Sequence, residues 1–355
     1  MRTAPWRSHQ CSALTHPLTS RSARRLHDYG GEPGNFPHVS SSFGSWDYAG
    51  FSKPAAFWFS AWWLGESGAS GSDAGRPPLP PSTRYSCRIV EAWGASPNGT
   101  RTIHVYANAP TVRLLLPGGA VFATQGVGAF GAAAAFYNVP YSPGALVAQA
   151  LAADGASVLA QHAASSAGAP AALRLTLDAP SLRTGTGSAL YLDGSDVALL
   201  RATVVDSEGV QCWGLGTDAS GGSEAVVVTF AVEAGPARVV GVHNGHPALQ
   251  AGAGASAVPV YGGLARGVAR VTLSAVGSDA ERASAAGVNV DAGRGGDSGS
   301  YWLGPAQGPL PVEVIFSASA PGLATVRLSV PLSVADADAP LAVAAASVGS
   351  ADLGV

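Results

Sequence analysis

Charge is scarce in this sequence, and lysine is almost absent. Charged residues make up 12% of the 355 residues, about half the usual share, and the formal net charge is −3. Lys53 is the single lysine, so the other nineteen of the 20 basic residues are arginines. Nucleic-acid binding needs a basic face, and the sequence shows none, so we expect no nucleic-acid partner.

Long apolar runs are also missing, and cysteines are few. No stretch approaches the ~18 apolar residues of a membrane span, so we expect no membrane partner. Cys11, Cys87 and Cys212 are odd in number and widely spaced, so they indicate unpaired thiols and neither a disulfide framework nor a metal site. No glycine-rich phosphate loop follows a strand pattern, so we expect no cofactor. Apolar residues nevertheless reach 47%, and the chain is long enough for two or three domains that each have a hydrophobic core.

The first 25 residues differ in composition from the rest of the chain. They contain five arginines, several hydroxyl residues and no acid. This composition is typical of an organelle transit peptide, and it equally fits a misassigned first exon joined to a truncated gene. The sequence therefore leaves the chain's localisation open between organelle, secreted and cytosolic.

Residues 26–64 are rich in aromatic side chains and have no regular period. Residues 55–64 predict a helix of two or three turns, since Pro54 fits the first turn, where a missing N–H is harmless. Residues 65–83 are rich in Gly, Ser and Pro and predict a linker.

From residue 84 onward, short alternating segments separated by Gly, Pro and Asn predict antiparallel strands. Asp154-Gly155 predicts a hairpin turn between two of them. We expect a first β-sandwich over 84–165 and a second over 169–333, the second interrupted by a disordered insertion over 276–307 and followed by a tail over 334–355. The predicted fold is mostly β.

The order of motifs in residues 27–54 resembles that of a known enzyme family. The chain has HDYGGEP at 27–33 and SFGSWDYAGFSKP at 42–54. Family 2 glycoside hydrolases of the β-galactosidase type carry a similar DYLGEP and S-FG-LDLAGFPKD at the end of their (β/α)8 barrel. Residues 101–116, 138–146, 169–177, 204–209, 230–247, 263–266 and 319–328 resemble parts of the two sandwiches that follow this barrel. The resemblance implies two immunoglobulin-like sandwiches preceded by a short barrel remnant.

Departures from the family pattern fall at specific positions. Arg24 stands where the family has the tryptophan of the eighth barrel strand, and Leu26-His27 replace a Gly-Phe pair. His246 replaces the Asp of an NGDP loop. The strands that carry the two catalytic glutamates lie upstream of the matched region in the family, so no catalytic residue is assigned here.

The resemblance implies a carbohydrate partner and a place at the barrel rim, or facing sugar, for six residues: Asp28, Glu32, Trp46, Asp47, Lys53 and Trp62. Retaining glycosidases need two carboxylates about 5 Å apart, and neither Asp28 nor Glu32 matches a catalytic glutamate of the family. The tryptophans suit either a sugar-stacking platform or, more often, a packed core. Three hypotheses therefore stand: a portion of a glycosidase that lacks the catalytic pair, a non-catalytic carbohydrate-binding or structural protein, and the product of a fragmentary gene model that has no activity of its own. The sequence carries no signal for an oligomeric state.

Overall fold

The computed structural model describes residues 26–31, 38–63, 85–129, 131–178, 190–192, 194, 196–216, 226–272 and 313–333. The predicted transit-like segment 1–25, linker 65–83, insertion 276–307 and tail 334–355 lie outside these residues, and so does Glu32. The chain divides into two compact units. The first contains the described residues up to Gly168 together with Gly245–Ala248, and the second contains the rest.

In the part of the first unit that the structure describes there are seven antiparallel strands: β1 (Cys87–Ile89), β2 (Thr100–Ala107), β3 (Thr111–Leu115), β4 (Val121–Gly126), β5 (Ala134–Pro140), β6 (Ala145–Leu151) and β7 (Val158–Ser165). They make two sheets, ordered β1-β2-β5 and β4-β3-β6-β7. Alternate residues of both sheets, among them Ile103, Phe136, Leu114 and Leu146, share one buried core. The first unit is therefore a β-sandwich.

Helix α1 (Pro54–Trp63) precedes this sandwich and packs on it. Trp58 and Ala61 of the helix are buried with Tyr106 of β2. The indole Nε1 of Trp58 donates a hydrogen bond to the carbonyl of Gly131 at 3.2 Å. The helix has apolar side chains nearly all round and is therefore not amphipathic. It is held in place by the burial of Trp58 and Ala61 against the sandwich.

The described residues of the second unit contain nine strands: β8 (Ala172–Leu177), β9 (Leu190–Tyr191), β10 (Val197–Val205), β11 (Val227–Ala234), β12 (Ala237–His243), β13 (Ala257–Pro259), β14 (Leu264–Val271), β15 (Glu313–Ala320) and β16 (Leu323–Ser333). Their sheets are ordered β12-β14-β10-β8 and β13-β11-β15-β16-β9. Only the β9–β16 pair among these described strands is parallel. Leu200, Phe230 and Phe316 lie in a core shared by both sheets.

The predicted mostly β fold is confirmed. The alternating segments become strands, and the Asp154-Gly155 turn joins β6 to β7, with Gly155 at a φ of 69°. The sequence did not predict β4, an edge strand whose residues are largely exposed, or the Ala-rich start of β5. No helix among the described residues is long and apolar enough to cross a membrane.

Candidate functional site

Four of the residues singled out in the sequence lie in residues 26–31 and 38–53, which fold as an irregular layer held by backbone hydrogen bonds. Short bridges pair His27 with Trp46 and Trp46 with Ser52. The N–H of Asp28 donates to the carbonyl of Trp46 at 2.9 Å, and the N–H of Lys53 donates to the carbonyl of Ser45 at 2.9 Å. These bonds bring Asp28, Trp46 and Lys53 together across 25 residues of sequence.

The carboxylate of Asp28 is buried and its oxygens are bound within this layer. Lys53 Nζ lies 2.9 Å from Oδ2 and 3.2 Å from Oδ1 of Asp28, and it also donates to the carbonyl of Ser42 at 2.6 Å. The N–H of Gly44 donates to Asp28 Oδ1 at 2.6 Å. The side chain of Asp28 is 4% exposed and that of Lys53 is 25% exposed. The single lysine of the chain therefore neutralises a carboxylate that burial alone would strongly disfavour.

Gly44 has no room for a side chain at this point. A Cβ on Gly44 would lie 2.4 Å from the backbone N of Asp28, 2.5 Å from the carbonyl carbon of His27 and 2.8 Å from the carbonyl oxygen of Trp46. Because all three contacts are to backbone atoms, the layer has no flexible side chain that could move aside. The glycine in the FG pair of the motif is thus required by the close approach of two backbone segments.

Asp47 closes a tight turn beside this pair. Its Oδ1 accepts hydrogen bonds from the N–H groups of Ala49 and Phe51, each at 2.9 Å. Burial raises the pKa of Asp47, and the two backbone N–H donors and nearby Lys53 oppose that rise. Gly245 lies against the other oxygen, since a Cβ added there would fall 2.0 Å from Oδ2. The carboxylate of Asp47 is therefore engaged by its own turn.

Trp46 stacks on His27, with ring centroids 5.3 Å apart and planes inclined by 24°. Three apolar side chains of the same layer are exposed to solvent: Leu26, Phe43 and Tyr48. Trp62, in contrast, packs with Phe57, Phe59 and Val90 around the buried Trp58. The structure therefore brings Asp28, Trp46, Asp47 and Lys53 into one layer and places Trp62 on α1, partly buried against the cluster around Trp58.

Sequence reasoning missed the contributions of Ser42, Gly44 and His27. The backbone carbonyl of Ser42 and the N–H of Gly44 supply hydrogen bonds that no side-chain pattern announces. Their signal was present only in the resemblance of the DY and SFG strings to the motifs of family 2 glycoside hydrolases. Spacing in the sequence could not show that these two strings pair through Asp28.

A second group of titratable side chains lies within the first sandwich. The N–H of Ile89 donates to Nδ1 of His162 at 3.3 Å, and burial, followed by the charge of Arg88, lowers the pKa of His162 to about 3. The guanidinium of Arg88 lies 4.2 Å from the centre of the Phe57 ring, and burial lowers its pKa to about 10. Burial raises the pKa of Cys87 to about 12, which disfavours the thiolate, the form in which a cysteine acts as a nucleophile.

His104 has the opposite environment from His162. The ring Nδ1 of His104 lies 2.6 Å from Oε1 of Glu91, and the backbone N–H of His104 donates to Oε2 of the same carboxylate at 2.7 Å. The hydrogen bond to Glu91 raises the pKa of His104 against a smaller effect of burial. The two histidines therefore have pKa values displaced in opposite directions within one sandwich.

Metal binding has little support in the described part of the chain. No group of three or more His, Cys, Asp or Glu side chains there is arranged to hold a metal ion. His246 lies 6.3 Å from His38, ring centre to ring centre, in an edge-on arrangement. Burial, followed by the charge of His38, lowers the pKa of His246.

Several solved structures have a fold similar to that of this chain. A β-glycosidase from Bacteroides vulgatus matches with a TM-score of 0.58 and 17% identity, over 86% of this chain and 30% of that chain. A glycosyl hydrolase family 2 member from Bacteroides cellulosilyticus matches with a TM-score of 0.57 and 19% identity, over 87% of this chain and 35% of that chain. The fold is shared with family 2 glycoside hydrolases.

A third structure supports the same assignment of the fold. A β-glucuronidase from glycoside hydrolase family 2 matches with a TM-score of 0.57 and 21% identity, over 88% of this chain and 25% of that chain. Residues 98–159, which span most of the first sandwich, match a family described as "Domain of unknown function (DUF4982)". No curated protein matches the sequence. The chain thus spans about a third or less of the length of the enzymes whose fold it shares.

Proposed function

We propose that this chain is the carboxy-terminal portion of a family 2 glycoside hydrolase of the β-galactosidase type. In this proposal the chain supports the hydrolysis of O-glycosyl bonds by a catalytic barrel and does not supply the two catalytic glutamates. Its partner is carbohydrate, bound by the longer enzyme. Residues 26–63 then serve as the closing layer of the barrel, fixed against the first sandwich by α1.

The observation that carries the proposal is the Asp28–Lys53 pair. A carboxylate that acts on substrate must present an oxygen to the reacting bond. Asp28 instead directs its oxygens to Lys53 and to the N–H of Gly44, inside a layer where it is almost fully buried. This arrangement supports a positioning role, in which the pair fixes the DY and SFG strings at the barrel rim.

Asp47 supports the same conclusion from a second carboxylate. Retaining glycosidases use one carboxylate as nucleophile and another as acid and base, roughly 5 Å apart. Asp47 has one oxygen bound by two backbone N–H groups of its own turn. Neither described acid of the layer is therefore poised for bond cleavage, which favours a catalytic pair elsewhere in a longer protein.

The test is to read the transcript upstream of codon 26 and to express the extended protein. We expect an open frame that encodes a barrel with two strand-end glutamates, and hydrolysis of aryl β-galactosides or related aryl glycosides by the extended protein. Asp28→Asn in that protein should lower kcat/KM. Glu208→Gln, an equal loss of charge in an exposed turn, is the control and should change nothing. An upstream region interrupted by stop codons would contradict the proposal.

Trp46 favours a second candidate function, a non-catalytic carbohydrate-binding protein. Its ring is only partly buried, and exposed Phe43 and Tyr48 lie in the same layer, so these aromatic faces could stack on sugar C–H groups. Fluorescence titration of the chain with galacto-oligosaccharides tests this function. Binding that is lost in Trp46→Ala and kept in Trp213→Ala would support it, and equal binding by both variants would contradict it.

A further inference from the structure

One outer sheet face of the second sandwich collects arginines that are scattered along the sequence. Ala198, Leu200 and Ala202 of β10 point into the core, so the residues between them point outward. The directly opposite residues of neighbouring strands share this outward face. By this register the face of the β12-β14-β10-β8 sheet carries five arginines from four strands: Arg174, Arg201, Arg238, Arg266 and Arg270.

Two of these arginines share one carboxylate within the sheet. Asp178, which follows β8, lies 2.9 Å from Nε of Arg201 and 2.5 Å from a terminal nitrogen of Arg266. Arg266 is buried, whereas Arg174, Arg238 and Arg270 are exposed. The face therefore keeps three exposed cations after its internal ion pairs are formed.

Arg238 and Arg270 occupy directly opposite positions on β12 and β14. Like charges at opposite positions destabilise a sheet, so this arrangement does not serve folding. Nε of Arg270 donates to the carbonyl of Gly194 at 3.2 Å, and Arg238 makes no hydrogen bond or ion pair with any described residue. The exposed aliphatic side chains of Val197 and Leu199 lie on the same face, with Val197 opposite Arg270.

The outer face of the other sheet carries acidic side chains as well as an arginine. There Arg327 is bound by Glu233, Nε to Oε2 at 2.5 Å, and Glu313 lies on the neighbouring strand β15. Acids thus accompany the arginine on that face. Among the described residues of the two outer faces, a pair of arginines without an acidic partner occurs on the β12–β14 side.

We infer that this arginine face, centred on Arg238 and Arg270, binds an acidic polysaccharide. Guanidinium groups bind carboxylates and sulfates with two parallel hydrogen bonds, and the repeated charges of such a chain match paired arginines. Val197 and Leu199 offer apolar surface to the C–H groups of the sugar rings. The anionic character of the ligand follows from the arginines alone, and its saccharide nature rests on the proposed function.

Binding of polygalacturonate to the 355-residue chain, by calorimetry at about 0.15 M salt, tests the inference. We expect binding that Arg238→Gln weakens at least about fivefold and that Arg238→Gln with Arg270→Gln weakens further. Arg327→Gln is the matched control, because it removes the same charge from the opposite sheet of the same sandwich, and it should leave the affinity unchanged. Circular dichroism checks that each variant is folded.

The results that would overturn this inference differ from those that would overturn the proposed glycosidase function. No binding of polygalacturonate, or an equal loss in Arg327→Gln, would overturn the inference, the latter by assigning binding to net charge. Tighter binding of duplex DNA than of polygalacturonate would assign the face to nucleic acid and also overturn it. The glycosidase proposal is measured separately, by aryl glycoside turnover in the extended protein, which needs none of these arginines.

Discussion

Asp28 and Lys53 in the first unit make a closed ion pair, whereas Arg238 and Arg270 in the second unit place two like charges side by side. The first pair is held at 2.9 Å and is largely buried. The second pair occupies opposite strand positions on an exposed face. The difference separates charges that stabilise the fold from charges that are available to a ligand. Substitutions in the two regions should therefore affect different measurements.

Gly44→Ala should have the largest effect on stability. Its Cβ would lie within 2.8 Å of three backbone atoms, so the strings that enclose the Asp28–Lys53 pair must separate. We expect a loss of about 3 kcal/mol or more in the free energy of unfolding, measured with urea. Gly126→Ala is the control, because a Cβ there meets nothing within 4 Å. Equal losses in the two variants would mean that the close approach at Gly44 is not needed.

Asp28→Asn should lower the free energy of unfolding somewhat less than Gly44→Ala does. The change leaves the partly buried Lys53 without its counter-charge, and we expect a loss of about 2–3 kcal/mol after allowance for the exposure of the lysine. Urea unfolding beside the Glu208→Gln control measures it. A loss of less than about 0.5 kcal/mol, the range of ordinary surface changes, would show that the pair does not hold the layer.

The two histidines of the first sandwich, His104 and His162, should make the stability of the fold depend on pH in opposite ways. The pKa of His162 is lowered to about 3, so the folded chain resists the proton that the unfolded chain takes up below its ordinary pKa near 6.5. Its contribution is therefore present above about pH 6.5 and is lost as the pH falls towards 3. We expect ~2 kcal/mol of acid destabilisation from this group, discounted for partial exposure.

Substitution separates the two histidines. His162→Gln should flatten the dependence of unfolding free energy on pH between about 6.5 and 3. The pKa of His104 is raised by Glu91, so its contribution is present below the unfolded pKa and is lost as the pH rises through the folded value. His104→Gln should therefore lower stability on the acid side and leave the acid slope of His162 in place. An unchanged acid slope in His162→Gln would contradict the neutral, buried state of His162.

Arg238→Gln should have the smallest effect on stability, and one of opposite sign. Removing one of two like charges from opposite strand positions should raise the free energy of unfolding by a few tenths of a kcal/mol. Thermal unfolding at low salt, where the repulsion is least screened, measures it. Arg327→Gln removes an ion pair and should not stabilise. A clear loss of stability in Arg238→Gln would show that this arginine serves the fold.

The strands were predictable from the sequence because alternation is local. Val197–Val205 repeats apolar residues at every second position, and the structure forms β10 over that range. The helix was predictable from Pro54 and the apolar run after it. Edge strand β4 was missed because its exposed positions carry no alternating core pattern.

The contacts of the site depend on long-range register, which the sequence does not display. Lys53 and Asp28 are 25 residues apart, and their pairing needs Gly44 to bring two irregular segments together. The arginine face is a similar case. Its five members span almost a hundred residues, so the sequence shows no basic cluster, and only the pairing of four strands assembles one.

The purified 355-residue chain should be assayed for the hydrolysis of aryl β-galactosides and related aryl glycosides. Catalysis needs an acid and a nucleophile held across one bond, and the account assigns Asp28 and Asp47 to the fold. It predicts no turnover by the chain, and none by its Glu32→Gln variant. Turnover that is abolished by Glu32→Gln would overturn this assignment, because Glu32 would then be a catalytic residue of this chain.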